Sequence, residues 1–213
     1  MIRVKSALIC LNILFLFFTL GAHAEEDPED MVDIFEADGK IIAVIEGRNT
    51  QPLMLRSREI LLQSMADGYL GGVLTNHRFL VISTSSGGWQ ALALRKGESE
   101  KAVTALSPCL ALLVGKDRAV GFDARNDRFI ETRLHIKDKL VTVKMGKKVA
   151  VVILSGHAYG LAAGASAFDE IRLRNRETTE SVKITSGKAI LQTSDRLLYF
   201  DASGASWREY PLN

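Results

Sequence analysis

The sequence repeats one short pattern four times at a nearly constant interval. Arg78, Arg118, His157 and Arg196 each follow an apolar run and a small polar turn, and each precedes a second apolar run. The intervals between these four residues are 40, 39 and 39 residues. Self-similarity at a fixed period of this length is typical of chains built from repeated supersecondary units that stack on one another. We therefore expect the body of the chain to consist of copies of one unit.

Two further columns of residues share this register. An aromatic residue lies eleven positions after each of the four markers, and a leucine lies sixteen positions after each. The columns are Trp89, Phe129, Phe168 and Trp207, and Leu94, Leu134, Leu173 and Leu212. Bulky residues that keep the period are expected to fill the space between neighbouring units. The alternative for the aromatic column is a platform on which sugars stack.

Each unit resolves into four short β-strands. In the third unit these are residues 140–143, 149–154, 159–161 and 168–173. The second strands are almost wholly apolar, which predicts burial on both faces, whereas the fourth strands alternate as half-exposed strands do. A four-stranded unit repeated at about 39 residues predicts an all-β fold, a β-propeller with four clear blades.

A fifth, degraded unit precedes these four. Residues 32–35, 41–45 and 53–55 match the second, third and fourth strands of a unit, and nothing before them can supply a first strand. The sequence therefore predicts a single propeller domain over residues 31–213, with five blades and one strand missing.

Two of the units carry an aromatic–aspartate pair that is followed six residues later by another aromatic. These segments are Phe200-Asp201…Trp207 and Phe122-Asp123…Phe129. The pattern resembles the blades of kelch-type propellers, and it is also similar to the blades of quinoprotein-type propellers. Ser83 and Ala162 replace the aspartate in the other two units. The resemblance implies a propeller but no specific family, and one fold hosts many functions.

The first 24 residues have the pattern of a secretory signal peptide. Two basic residues precede an apolar run at 7–20, and small residues stand at Ala22 and Ala24, where a signal peptidase requires them. We expect cleavage after Ala24 and export to the periplasm or the medium, with an uncleaved anchor as the alternative. Residues 25–30 are acidic and are expected to form a flexible leader before the domain.

The charge balance narrows the classes of partner. The chain has 27 basic and 25 acidic residues, and two of the basic residues lie in the predicted signal peptide. A neutral mature chain is not expected to bind nucleic acid, which requires clustered Lys and Arg. We also expect no cofactor and no membrane span after cleavage. Cys109 would be the one cysteine left, so burial of apolar surface rather than a disulfide must hold the fold together.

The repeated turns supply the candidate binding residues. They are Asp38, His77, Arg78, Asp117, Arg118, His157, Asp195 and Arg196. The arginines could form an anion-binding ring, or they could bond the carboxylates of their own or a neighbouring unit. The histidines lack the spacing of metal ligands, so no metal site is expected. The aspartates could act as acid and base in a carbohydrate hydrolase or lyase, although turn geometry alone explains aspartate there.

Propeller geometry places these turns on the same face as the loops that join successive units. The turns are 75–77, 115–117, 155–156 and 193–195, and the loops are 95–101, 135–139 and 174–180. The loops are charged, whereas the connections of the opposite face are small and bland. Because a rigid scaffold commonly presents function on its loops, we expect a non-catalytic module that binds a protein or envelope partner through the charged loops. The enzyme is the alternative.

Overall fold

The molecule, a computed structural model, is described over residues 31–37, 39–48 and 52–212. Over these residues the chain forms 19 β-strands in five antiparallel sheets, without helices. The predicted all-β propeller is confirmed. The predicted signal peptide, the leader and Asp38 lie outside the described residues. No helix in the described part of the chain is long and apolar enough to cross a membrane.

The first sheet, blade 1, has three strands. They are β1 (Val32–Ala37), β2 (Lys40–Ile45) and β3 (Leu53–Met54). Their positions match the second, third and fourth strands of the predicted degraded unit. β1 also packs on the first and second strands of the next blade, which is the place that a second strand occupies in the other blades.

The other four sheets are four-stranded meanders. Blade 2 contains β4 (Leu61–Asp67), β5 (Leu70–Thr75), β6 (Arg78–Ser83) and β7 (Trp89–Ala93). Blade 3 contains β8 (Val103–Leu106), β9 (Leu110–Val114), β10 (Arg118–Asp123) and β11 (Arg128–Arg133). Blade 4 contains β12 (Leu140–Met145), β13 (Val149–Leu154), β14 (His157–Ala162) and β15 (Asp169–Arg172). Blade 5 contains β16 (Thr179–Ile184), β17 (Lys188–Thr193), β18 (Arg196–Asp201) and β19 (Ser206–Pro211).

The middle strands of blades 2, 3 and 4 form the core. Every residue of β5, β9 and β13 is buried, as their continuous apolar runs predict for strands covered on both faces. The first strands of blades 2 to 5 contact one another in succession, so they lie towards the axis, and the half-exposed fourth strands form the outer edges. The blades are thus packed face to face around a common axis.

Hydrophobic clusters join each blade to the next, from blade 1 through to blade 5. Within the described residues no such cluster joins blade 5 to blade 1. In β17 and β18 buried residues alternate with partly exposed ones, and Phe35 and Val44 on blade 1 are 55% and 44% exposed. Each end blade therefore has one face that is not covered as the middle blades are covered.

Candidate functional site

The predicted loops and turns meet at one end of the blades. The Glu98 side chain, in the loop before β8, accepts hydrogen bonds from Arg118 at the start of β10. The same contact occurs in three blades, and the pairs are Arg78–Glu59, Arg118–Glu98 and Arg196–Glu177. These contacts place the loops and turns together, and we call this end of the molecule the charged face.

The three ion pairs are bidentate and buried. Arg118 donates from Nε to Glu98 Oε1 at 2.7 Å and from Nη2 to Oε2 at 2.6 Å. Both side chains are 5% exposed. Arg196 donates to the two oxygens of Glu177 in the same manner, at 2.9 Å each. The planar guanidinium fork matches a carboxylate in this geometry, and such a contact fixes the loop against the turn.

Each glutamate is held by more than its arginine. Thr193 donates its hydroxyl to Glu177 at 2.6 Å, and the backbone N–H of Arg174 donates to the same carboxylate at 2.5 Å. Burial by itself would raise the pKa of Glu177, but these hydrogen bonds and the Arg196 charge outweigh it and lower the pKa to about 2. The pKa of Glu59 is lowered to about 2 for the same reasons. Both carboxylates are therefore structural anions.

A second carboxylate, on the fourth strand of the same blade, connects the Arg–Glu pair to the preceding blade. Arg118 Nη1 donates to Glu131 at 2.9 Å, and Arg95, from the loop that follows blade 2, donates to the other oxygen of Glu131 at 2.8 Å. The equivalent chain between blades 4 and 5 consists of Arg174, Glu209, Arg196 and Glu177. A basic residue of one blade thus reaches the outer carboxylate of the next.

The junction between blades 3 and 4 keeps this arrangement but changes three of its four residues. Its chain consists of His135, Glu170, His157 and Asp138. Asp138 Oδ2 lies 2.6 Å from His157 Nδ1, and Glu170 Oε1 lies 3.3 Å from His135 Nε2 and 3.7 Å from His157 Nε2. The two imidazole rings stack with centroids 3.7 Å apart and an interplanar angle of 1°. We call His135, His157 and Glu170 the histidine cluster.

The structure uses the predicted arginines inside the fold. The guanidinium groups of Arg78, Arg118 and Arg196 each contact carboxylate oxygens, so an anion would have to compete with glutamates already in place. His157 belongs to the histidine cluster. His77, at the equivalent turn of blade 2, is exposed and stands apart from that cluster.

The predicted turn aspartates are surface residues. Asp117 forms an ion pair with Arg95 at 2.6 Å, and the side chains of both are 46% exposed. Asp195 is exposed and accepts a hydrogen bond from the hydroxyl of Ser194 at 2.8 Å. Asp38, the third member of the proposed acid–base set, lies outside the described residues.

The aromatic column lies between blades. Trp89 packs against blade 1, Phe168 packs in the cluster between blades 3 and 4, and the rings of Phe129 and Phe79 from blade 2 lie 6.3 Å apart. Trp207 donates its indole N–H to the carbonyl of Asp169 in blade 4 at 3.2 Å. Each aromatic therefore contacts the blade that precedes its own.

The leucine column faces the blade that follows. Leu94, Leu134 and Leu173 belong to the clusters that join blades 2–3, 3–4 and 4–5. Leu212, the last member, is 45% exposed. The difference has a simple cause, because no hydrophobic cluster among the described residues covers that side of blade 5.

An exposed apolar residue stands in the middle of the charged face. Ile136, in the loop between blades 3 and 4, is 68% exposed. It lines two grooves, of about 680 Å³ and about 600 Å³, on either side of that loop. Lys137 lies in the first groove, and Lys96 and Lys116 lie in the second. These lysines form no ion pair within the part of the chain that the structure describes.

Reasoning from the sequence missed the carboxylates. Glu59, Glu98 and Glu177 precede their arginines by 19 or 20 residues, and Glu131, Glu170 and Glu209 follow the repeat marker by 13. Arg95, His135 and Arg174 likewise follow it by 17. These columns were visible in the sequence. They were missed because charged residues in loops usually face solvent, and because a one-residue difference in loop length blurs the first column.

The comparisons with known proteins identify no family. No protein-family model matches the chain, and a search of curated proteins found no match. Among solved structures the chain is similar to Hsv2p of Kluyveromyces lactis, with TM-score 0.43, 7% identity, and coverage of 82% of this chain and 59% of that one. It is also similar to the Pan2 WD40 domain of Neurospora crassa, with TM-score 0.34, 11% identity, and coverage of 89% and 67%.

A third structure, the WD40 domain of SCAP from fission yeast, gives TM-score 0.38, 11% identity, and coverage of 73% of this chain and 42% of that one. The chain thus spans well under two thirds of the length of Hsv2p and of the SCAP domain. These similarities are too weak to identify a family, and the propeller fold follows from the chain's own sheets.

Proposed function

We propose that this chain is an exported, non-catalytic binding module that docks a protein or envelope partner on its charged face. The observation that carries the proposal is Ile136, an apolar side chain exposed between two grooves on a face whose loops are mainly charged. Apolar side chains that are rimmed by charge and held on a rigid support commonly anchor protein interfaces.

Ion pairs and hydrogen bonds hold the loops around Ile136 in place. The loop before blade 3 is tied to its blade by the Arg118–Glu98 fork, and the loop that carries Ile136 is tied to blade 4 by the Asp138–His157 contact. A surface that is already ordered loses little conformational entropy when it binds. The charged network therefore favours binding indirectly, by preorganising the loops.

The charges around Ile136 favour an acidic partner. Lys137 lines the first groove, and Lys96, Lys101 and Lys116 line the second. Of the acids in the second groove, Glu98 is engaged by Arg118 and Asp117 by Arg95, so basic side chains outnumber the remaining acid, Glu100. Complementary charge mainly speeds association and selects among partners. The expected partner segment carries an apolar side chain for the site beside Ile136 and acidic groups around it.

Export is part of the proposal and is supported by the signal-like pattern of residues 1–24. Intact-mass analysis of the protein from its native cells is expected to give a chain that begins at Glu25. Recovery of a chain that retains residues 1–24 in the cytoplasm would contradict export without affecting the binding surface.

Site-specific photo-crosslinking tests the binding surface. A photoreactive amino acid at Ile136 is expected to capture one specific partner in the native envelope, whereas the same group at exposed Ser166 on the opposite face is not. The partner identified in this way is then purified, and its affinity for the wild-type chain is compared with its affinity for two variants.

The variants are Ile136→Ser and Ile60→Ser. Ile60 is a matched control because it is 61% exposed and lies in the corresponding loop before blade 2. Ile136→Ser is expected to weaken binding roughly tenfold or more, as for an interface anchor, and Ile60→Ser is expected to change it little. Equal capture at Ile136 and Ser166, or equal affinity of both variants, would overturn the docking proposal.

A further inference from the structure

The histidine cluster departs from the repeat in a coordinated way. The junction between blades 2 and 3 and the junction between blades 4 and 5 each contain two arginines and a buried glutamate. The junction between blades 3 and 4 has different residues at all three of these positions. His135 replaces a loop arginine, His157 replaces a buried arginine, and Asp138 replaces a glutamate. An ion-pair network would serve the structure equally well at this junction, so the change calls for a chemical reason.

The replacements gather the ligand types that borderline divalent metals prefer. One ligand atom from each of His135, His157 and Glu170 lies within 4.8 Å of the other two. Two imidazole nitrogens and one carboxylate oxygen form a recognised three-ligand set for Zn²⁺, in which water completes the coordination. Guanidinium groups cannot serve as ligands because they have no lone pair to donate, so among the junctions that the structure describes this one offers three metal ligands.

His157 is already oriented for coordination. Its Nδ1 lies 2.6 Å from Asp138 Oδ2, and that hydrogen bond assigns the ring proton to Nδ1. The Nε2 atom then carries the lone pair, and it lies 3.7 Å from Glu170 Oε1. Two acceptors facing each other at this distance favour a cation between them. Metal-binding histidines typically have such a carboxylate behind the ring, where it fixes the tautomer and raises the basicity of the ligand.

A second observation points to the same place. The hydroxyl oxygen of Tyr159 is buried and makes no hydrogen bond of standard geometry within the described residues, although the Glu170 carboxylate and the backbone of His135 are close enough to affect its pKa, which burial raises to about 12. Tyr159 pairs with Glu170 across β14 and β15, and its ring centroid lies 6.4 Å from that of His157. An unsatisfied buried hydroxyl costs free energy unless it finds a partner. A water bound to a metal at the histidine cluster is a suitable partner.

One adjustment is needed before both histidines can bind one ion. Because the rings are parallel and 3.7 Å apart, their in-plane lone pairs cannot converge on a single point. His157 is fixed by Asp138 and its side chain is 12% exposed, whereas the His135 side chain is 54% exposed. His135 therefore turns about its side-chain bonds to bring Nε2 towards the ion, and the backbone stays in place.

We propose that the histidine cluster is a Zn²⁺ site, formed by Nε2 of His135 and His157 and by the carboxylate of Glu170, with Asp138 orienting His157. The site joins two blades, because His135 follows β11 of blade 3 and the other residues act with blade 4. Its fourth position is open to water or to a donor from a partner. The inference does not depend on the proposed docking at Ile136.

Calorimetric titration of the chain from Glu25 to Asn213 with Zn²⁺ tests the proposal. A single saturable site is expected, together with a higher melting temperature in Zn²⁺ than in chelator. Co²⁺ substituted at this site is expected to give the visible absorption of a four-coordinate ion with nitrogen and oxygen ligands. Absence of saturable binding would overturn the proposal and leave the cluster as a set of polar and stacking contacts that join two blades.

Variants locate the site. His135→Ala removes an exposed side chain and so preserves the fold, and Glu170→Gln and Asp138→Asn test the carboxylates. Each is expected to weaken Zn²⁺ binding roughly 10- to 100-fold or more. His77→Ala removes an exposed histidine outside the cluster and is expected to leave binding unchanged. Wild-type affinity in His135→Ala would refute the assignment.

A triple variant separates metal binding from folding. His135→Arg, His157→Arg and Asp138→Glu together rebuild the network of the neighbouring junctions. This protein is expected to fold with a melting temperature near that of the metal-free wild type, and to show neither Zn²⁺ binding nor a shift in melting temperature with Zn²⁺. Zn²⁺ binding that survives in the folded triple variant would place the metal elsewhere and overturn the proposal.

Discussion

At the scale of single residues, the buried Arg–Glu forks are where the charged face is most sensitive to change. Glu177→Gln keeps the shape of the side chain but leaves the buried guanidinium of Arg196 with the half-exposed Glu209 as its remaining charged partner. Breaking a buried pair in this way costs roughly 3–5 kcal/mol of unfolding free energy. Glu209 also contacts Arg196, but its side chain is 45% exposed, and Glu209→Gln is expected to cost at most about 1 kcal/mol. Urea unfolding of the two variants measures the difference, and similar losses would contradict it.

The same glutamates predict an acid-sensitive fold. The pKa of Glu59 and of Glu177 is about 2 in the folded state, against an ordinary value of 4.5, so the unfolded chain binds more protons between these limits. The stability that they contribute is complete above about pH 4.5 and is lost as the pH falls towards 2. Urea unfolding across this range is expected to show a falling midpoint. Glu177→Gln is expected to show a shallower fall, and an unchanged pH dependence would argue against the assignment.

The sequence identified those residues that recur at the repeat period. The arginine at the start of the third strand, the aromatic column and the leucine column were all found because each keeps one position in every unit. The glutamate partners lie in loops that differ in length by one residue, so Glu98 lies 20 positions before its arginine and Glu177 lies 19 before. The histidine cluster was missed for another reason, because its members come from two blades and the period does not show which columns of neighbouring blades meet.

At the scale of elements, the approach of one blade to the next depends on glycine where the third strands face their neighbours. A Cβ atom added at Gly160 in β14 would lie 2.5 Å from the ring of Phe200, which is fully buried in β18. Gly121 in β10 occupies the equivalent position against Leu161 of blade 4. The same position in blade 5 is Tyr199, which is only partly buried. Blade 2 has the fully buried Val81 at this position, so glycine marks the closest approach at the junctions of blades 3–4 and 4–5 alone among those described.

This close approach predicts a coupled pair of substitutions. Gly160→Ala forces the methyl group against Phe200 and is expected to lower the unfolding free energy by roughly 1–3 kcal/mol. Phe200→Leu alone also destabilises the protein, but the double variant is expected to lose less than the sum of the two, because the smaller side chain makes room. Gly88→Ala is the control, since a Cβ there meets nothing within 4 Å. Strict additivity would show that these blades do not meet as described.

The sequence predicted the positions of the strands better than the burial of each strand by its neighbouring blades. It indicated full burial for every second strand, and β5, β9 and β13 conform, but β17 alternates because Lys188, Ile190 and Gln192 lie on the face turned away from blade 4. Gln192 interrupts the apolar run, and that was the available signal. The three-stranded blade 1 was predicted because a missing apolar run is visible directly.

At the scale of the whole molecule, the end blades differ from the middle ones on one face each. On blade 1, Ala43 faces blade 2 and is fully buried, while its neighbour Val44 is 44% exposed. On blade 5, Leu198 belongs to the cluster shared with blade 4, while its neighbour Leu197 points to the other face and is only partly buried. Lys188 and Gln192 of β17 lie on the same outer face, which is therefore more polar than the face towards blade 4.

The two leucines of β18 measure whether that outer face is covered in solution. Leu198→Ala opens a cavity against blade 4 and is expected to cost about 2–5 kcal/mol of unfolding free energy. Leu197→Ala removes the same atoms from a face in contact with water, and about 1 kcal/mol or less is expected because little apolar area becomes newly exposed. Urea unfolding measures the two losses. Both substitutions replace leucine by alanine at adjacent positions of one strand, so the difference in β-propensity between these residues affects both equally. If Leu197→Ala proved as costly as Leu198→Ala, the outer face would be packed against another surface. Light scattering would then distinguish a second copy, which doubles the mass, from a contact within one chain, which leaves it unchanged.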